Sequence, residues 1–114
     1  METSAIDPAA YAAVKDTMGE IFGEVIETFL DYLPGQISKL GDAIESSDST
    51  DVFNLAHGIK SSSGSIGALG LASTAEQIEL LGRQSVTDGI DLHFKTLQNQ
   101  FQEVVEFLQQ DNAT

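Results

Sequence analysis

Apolar side chains recur every three or four residues along most of the chain, and nowhere do they alternate one by one as a half-buried strand requires. The longest such line is Val25/Ile26, Phe29, Leu33, Ile37, Leu40 and Ile44, and it predicts a helix over about 20–44. Pro34-Gly35 interrupts it. An interior proline removes a backbone donor and costs about 3 kcal/mol. The stripe resumes in phase beyond it, so one bent helix is expected rather than two. Upstream, Asp7-Pro8 reads as an N-cap with proline at the first helical position, opening a short helix over 9–16 that closes near Met18-Gly19. Val52, Leu55, Ala56, Ile59, Ser63 and Ile66 predict a third helix over about 51–66, capped by Asp48 or Ser49. A glycine-rich connection over 67–70 leads to a fourth over 71–84, with Leu71, Ala75, Ile78 and Leu81 inward. The last, over 90–110, buries Ile90, Phe94, Leu97, Phe101, Val104 and Leu108, with Thr87 or Asp88 as its candidate cap. Residues 1–6 and 111–114 are expected to be poorly ordered.

This pattern alone implies an all-α fold. Four amphipathic helices joined by short turns favour an antiparallel up-down four-helix bundle, and the short N-terminal helix would cap one end of it. At 114 residues the chain makes one domain, spanning 1–114. It is long enough to bury roughly two thirds of its unfolded surface. With no cysteine, neither a disulfide nor a thiolate metal site is available. No apolar run approaches the roughly 20 residues that span a bilayer, and the N-terminus has no charged-then-apolar signal pattern. A cytoplasmic domain is therefore expected.

Net charge is −13, from 18 acidic and 5 basic side chains. Such a field repels phosphate backbones and anionic lipid, so nucleic-acid and membrane partners are not expected. The placement of the few cations matters more. In the third helix His57, Lys60, Ser61 and Gly64 fall at i, i+3, i+4 and i+7, on one ridge beside the buried stripe. That ridge carries a histidine, a cation one turn away and otherwise very small side chains. A histidine so placed can be reached by a bulky partner, which marks His57 as a surface nucleophile. His93 lacks such company and reads as an ordinary structural or surface histidine.

The run Ala56-His57-x-Ile59-Lys60-x-Ser62, followed by Ile66-Gly67-Ala68, resembles the signature of histidine-containing phosphotransfer (HPt) domains. Length and helix order fit that family from about Pro8 onward. The resemblance implies a phosphorelay intermediate of two-component signalling, which accepts a phosphoryl group on one histidine from a receiver-domain aspartate and passes it to another receiver. It implies Nε2 of His57 as the attacking atom. It also implies a glutamine or glutamate on the following helix that accepts a hydrogen bond from Nδ1–H. Glu79 stands at the matching separation, with Gln77 as the alternative if the helix register is shifted. Metal would reside on the partner: Mg is expected on the receiver and no cofactor on this chain. Expected partners are response-regulator receiver domains, a hybrid sensor histidine kinase or both, met by a monomer through exposed faces of the second and third helices around His57, together with residues of the first helix.

The chemistry fits the residues. A phosphohistidine adds charge to an already negative surface, and a cation within about 4–6 Å favours it. That assigns Lys60 to phosphoryl stabilisation. Small side chains at Gly58, Ser61 and Gly64 admit the partner's pocket, although a mid-helix glycine costs about 0.5–1 kcal/mol relative to alanine. Arg83, four residues beyond Glu79, would pair with it or flank the docking surface. Two residues depart from the common pattern: Ser61 replaces a glycine and Gly58 replaces a better helix former. Both are small, so they bear on partner preference rather than on phosphotransfer.

Other classes fare worse. Di-metal bundles need Glu-x-x-His pairs, whereas Asn54 and Ile90 precede His57 and His93 at that spacing. No phosphate-binding glycine loop or kinase signature is present, so no kinase or ATP-binding activity is expected. The competing reading is a docking module that binds a receiver or kinase without being phosphorylated. It would not need His57 or Lys60.

Overall fold

A computed structural model describes residues 5–86 and 88–113. Residues 1–4, Thr87 and Thr114, which carried part of the expected loose ends and one candidate cap, lie outside them. Among the described residues five α-helices follow one another: α1 (Pro8–Met18), α2 (Phe22–Glu45), α3 (Ser49–Ser65), α4 (Leu69–Arg83) and α5 (Ile90–Ala113). A single 3-10 turn, Gly19–Ile21, joins α1 to α2. Helices α2 to α5 form the antiparallel bundle, with α3 and α4 the most closely packed pair.

The boundaries have local causes. Asp7 caps α1, its carboxylate accepting from the amides of Ala9 and Ala10 at 2.9 and 3.1 Å, and Pro8 fills the first turn where no amide is needed. Gly19 ends that helix at φ +58, a conformation glycine adopts without steric cost. Asp48 caps α3 by accepting from Asp51 N at 3.1 Å. α2 runs unbroken through Pro34 with Leu33 and Ile37 both buried, so its stripe keeps phase. Ala43, rather than the expected Ile44, closes that stripe; Ile44 is only half-buried.

The connection between α3 and α4 is shorter than the glycines suggested. Gly70 lies inside α4 and is buried, which leaves only Ile66, Gly67 and Ala68 between the helices. Gly67 sits at φ +82, and a β-carbon there would come within 2.6 Å of the backbone nitrogen of Tyr11. α1 thus lies directly against this turn.

At Ala5, Ile6 and Asp111, the expectation of loose ends is overturned. Ala5 and Ile6 are core residues, 1% and 5% exposed. This segment is tied to the α3–α4 turn by Asp7 N donating to Gly67 O at 2.9 Å, and to the first turn of α4 by Leu71 N donating to Ala5 O at 3.1 Å. At the other terminus Asp111 does not fray. It accepts from the Tyr11 hydroxyl at 2.7 Å and from Lys15 at 2.8 Å. Tyr11 packs edge-on against both Phe22 and Phe107, so α1 caps the end of the bundle where α2 begins and α5 finishes.

Candidate functional site

The flat packing of α4 on α3 is set by Gly82. A β-carbon there would stand 2.9 Å from Phe53 N and 3.2 Å from Phe53 Cα, so only a hydrogen lets the two backbones come this close. Three cross-helix pairs follow from that approach, stepping up α3 as they step down α4: Phe53 with Arg83, His57 with Glu79, and Lys60 with Glu76.

His57 stands in mid-helix between Ala56 and Ile59, both fully buried, and its own side chain is 55% exposed. Its Nδ1 lies 2.9 Å from Oε2 of Glu79. A carboxylate can only accept, so the proton of this bond is on Nδ1, and in the neutral ring the lone pair then lies on Nε2. Glu79 itself is buried, a rare state for a carboxylate without partners. Burial alone would raise its pKa; the bond from His57 and the nearby Lys60 charge outweigh that and hold it below its ordinary value. Lys60 Nζ is 3.1 Å from Oε1 of Glu79 and 3.8 Å from Glu76 Oε2. One buried carboxylate therefore serves both the histidine and the lysine, one oxygen to each.

The small residues on the ridge are not demanded by the protein's own packing. A β-carbon at Gly58 or at Gly64 would meet nothing within 4 Å. Ser61 is exposed as well. Ser63 is the exception in the serine run: it is fully buried, and its hydroxyl has no hydrogen-bond partner among the described residues. Beside the ridge, Ile21, Val25, Phe29, Tyr32, Ser62, Ser65 and others line a shallow groove of about 370 Å³ between α2 and α3. Ile21 and Tyr32 are large apolar side chains left 56% and 47% exposed at its rim.

Two expected roles are displaced. Gln77 lies two residues from Glu79, about 200° round the helix, and is exposed, so it faces away from His57. Arg83 does not pair with Glu79, whose oxygens are engaged elsewhere; its guanidinium lies 5.3 Å from the centre of the Phe53 ring. Phe53, half-buried and four residues before His57, was not singled out from the sequence, because its contact with Arg83 depends on how α4 packs on α3. Among the described residues no group of three or more His, Asp or Glu side chains is arranged to hold a metal ion.

The Hpt-domain family model matches residues 24–110. The chain belongs to the Hpt-domain family. Its fold agrees with that of the histidine-containing phosphotransfer protein B (HptB) of Pseudomonas aeruginosa PAO1, with a TM-score of 0.87 at 18% identity over 99% of each chain. No curated protein matches. Membership places this Hpt domain in histidine phosphotransfer within two-component phosphorelays. Half of its signature is architectural: Ile66 and Ala68 are fully buried and Gly67 makes the turn against Tyr11. Among the described residues no helix is long and apolar enough to cross a membrane.

Proposed function

We propose that His57 is the phosphoryl-accepting residue of a relay carrier, taking phosphate from the aspartyl phosphate of one receiver domain and passing it to the aspartate of another. One observation carries this reading: a half-exposed imidazole whose Nδ1 is bound to a buried carboxylate, which in the neutral ring leaves the lone pair on Nε2. The lone pair of Nε2 attacks phosphorus as the bond to the partner's carboxylate oxygen breaks, and that carboxylate leaves with the electron pair. The ring gains positive charge, which the Nδ1–H shares with Glu79. Little covalent work is asked of the protein; position and charge dominate such transfers. The receiver brings the Mg ion and its own polarising groups.

Lys60 has a second duty beyond balancing Glu79. It reaches the phosphoryl group by exchanging one carboxylate contact for a phosphate oxygen, a charge-assisted bond of comparable strength. The open spaces over Gly58, Ser61 and Gly64 admit the receiver pocket. The groove rimmed by Ile21 and Tyr32 offers the apolar centre of a modest, transient interface, and Arg83 flanks the site over the Phe53 ring. No kinase or ATP-binding role is assigned to this chain, which acts as a cytoplasmic monomer.

The test is incubation with receiver domains charged by acetyl phosphate. An acid-labile, base-stable label that vanishes in His57→Ala supports the relay. Label that survives this substitution places the acceptor elsewhere, and tight binding without label supports the unphosphorylated docking module.

A further inference from the structure

Gly58, Ser61 and Gly64 leave the His57 ring without walls on much of its surface, and the bond to Glu79 holds it at a single atom. A ring anchored at Cβ and at Nδ1 still swings between them, and in-line attack is sensitive to that swing. Misplacement of about 1 Å costs on the order of 10²-fold in rate. A second restraint is present. Phe53 lies one turn before His57 on the same ridge, its ring stacked with the imidazole at 6.2 Å between centres and 21° between planes. That geometry falls within the range of attractive aromatic pairs.

Phe53 is itself held from α4 in two ways. Gly82 brings the α4 backbone against the Phe53 backbone, and the Arg83 guanidinium lies 5.3 Å from the Phe53 ring centre, within cation–π range. Glu79 and Arg83 have the i,i+4 spacing that ordinarily pairs opposite charges on a helix. Among the described residues Arg83 nevertheless has no carboxylate oxygen within 4 Å, because Glu79 is turned in toward His57 and Lys60. Its charge is left to the aromatic face. One helix thus delivers both the carboxylate that fixes Nδ1 and the clamp on the aromatic plane beside it.

We propose that Phe53 is a positioning residue for His57, its Arg83-capped ring fixing the imidazole plane so that Nε2 is presented to the incoming phosphorus. This rests on the assignment of His57 as the acceptor. The test uses potassium phosphoramidate as a small phosphoryl donor, which removes partner docking from the measurement, together with the imidazole nitrogen signals of ¹⁵N-histidine-labelled protein. Phe53→Leu keeps an apolar, helix-compatible side chain but loses the flat face. It is expected to slow labelling of His57 about 5–20-fold and to move its ring signals, while Phe53→Tyr stays within about two-fold of the parent. Arg83→Gln, at an exposed position that leaves the core intact, is expected to slow labelling about 2–5-fold and to move the ring signals in the same direction. Parent-like rates and ring signals in Phe53→Leu would overturn the proposal. A Phe53→Tyr as slow as Phe53→Leu would do so too, and if Phe53→Leu does not fold, unchanged rates and signals in Arg83→Gln have the same force. Failure of the acceptor assignment reads differently: the unsubstituted protein then takes no label on His57 from phosphoramidate or from any charged receiver.

Discussion

Glu79 connects the chemistry of the site to the stability of the fold. It is buried, and its two oxygens face His57 and Lys60. Lys60→Met strips one oxygen of its counter-charge without touching the core, and leaving a buried charged acceptor short of a partner costs about 1–3 kcal/mol. Urea unfolding should show that loss in Lys60→Met and a much smaller one in Lys95→Met, on the exposed side of α5. Equal effects would mean that the Lys60 contact contributes nothing. The direction of the Glu79 shift fixes a pH dependence. Its folded pKa lies below the ordinary carboxylate value of about 4.3, so its stabilisation is complete above that value and is lost as pH falls through the folded pKa. Glu79→Gln should therefore flatten the acid limb of a stability profile below about pH 4. Ser63 makes the opposite case. Its buried hydroxyl has no hydrogen-bond partner among the described residues, and Ser63→Ala is expected to raise stability by about 1 kcal/mol.

Among the elements, the glycines of α3 and α4 separate two demands that the sequence writes with one letter. Gly82 is required from inside, since a β-carbon would strike the backbone of Phe53. Gly82→Ala should lose about 1–3 kcal/mol by forcing the two helices apart, more than the helix gains from alanine. Gly58 and Gly64 face open space, so alanine there should stabilise α3 by about 0.5–1 kcal/mol while slowing transfer from a charged receiver. Thermal melts beside transfer rates for the three variants separate the cases; a Gly64→Ala that melts higher and transfers as fast as the parent would remove the access argument. The periodicity made the five helices and the His57 ridge legible, because both depend on spacing within one helix. It hid whatever depends on two helices at once. Gly82 looks like an ordinary helix glycine until α3 is laid against it, and the contact of Phe53 with Arg83 depends on the same packing. Glu79 stood at a plausible separation, yet its burial could not be read, since a glutamate on a helix is exposed by default. Gln77 was excluded by register alone.

Across the whole molecule, the described residues near each end are fastened more firmly than their composition suggested. Ala5 and Ile6 plug the α3–α4 turn, and Tyr11, Lys15 and Asp111 tie the first helix to the last. Polar terminal residues look loose when their partners are about 100 positions away in sequence. Burial, with the bond and charge of Asp111, raises the Tyr11 pKa, so its contribution is present below the ordinary tyrosine value of about 10 and is lost as pH climbs above it. The lysine and tyrosine bonds hold Asp111 below its ordinary value, and its contribution disappears at the acid end instead. Tyr11→Phe should accordingly weaken the fold at neutral pH and flatten its alkaline limb; a limb as steep as the parent's would assign that limb to other groups. This fastening ties α1 and α5 together at one end of the bundle. The most direct measurement of the role of His57 is ³¹P–¹⁵N coupling in the ¹⁵N-histidine-labelled, receiver-phosphorylated protein. Coupling to Nε2 of His57, with the proton retained on Nδ1, is the predicted result; phosphorus on Nδ1, on His93 or on a serine would contradict it.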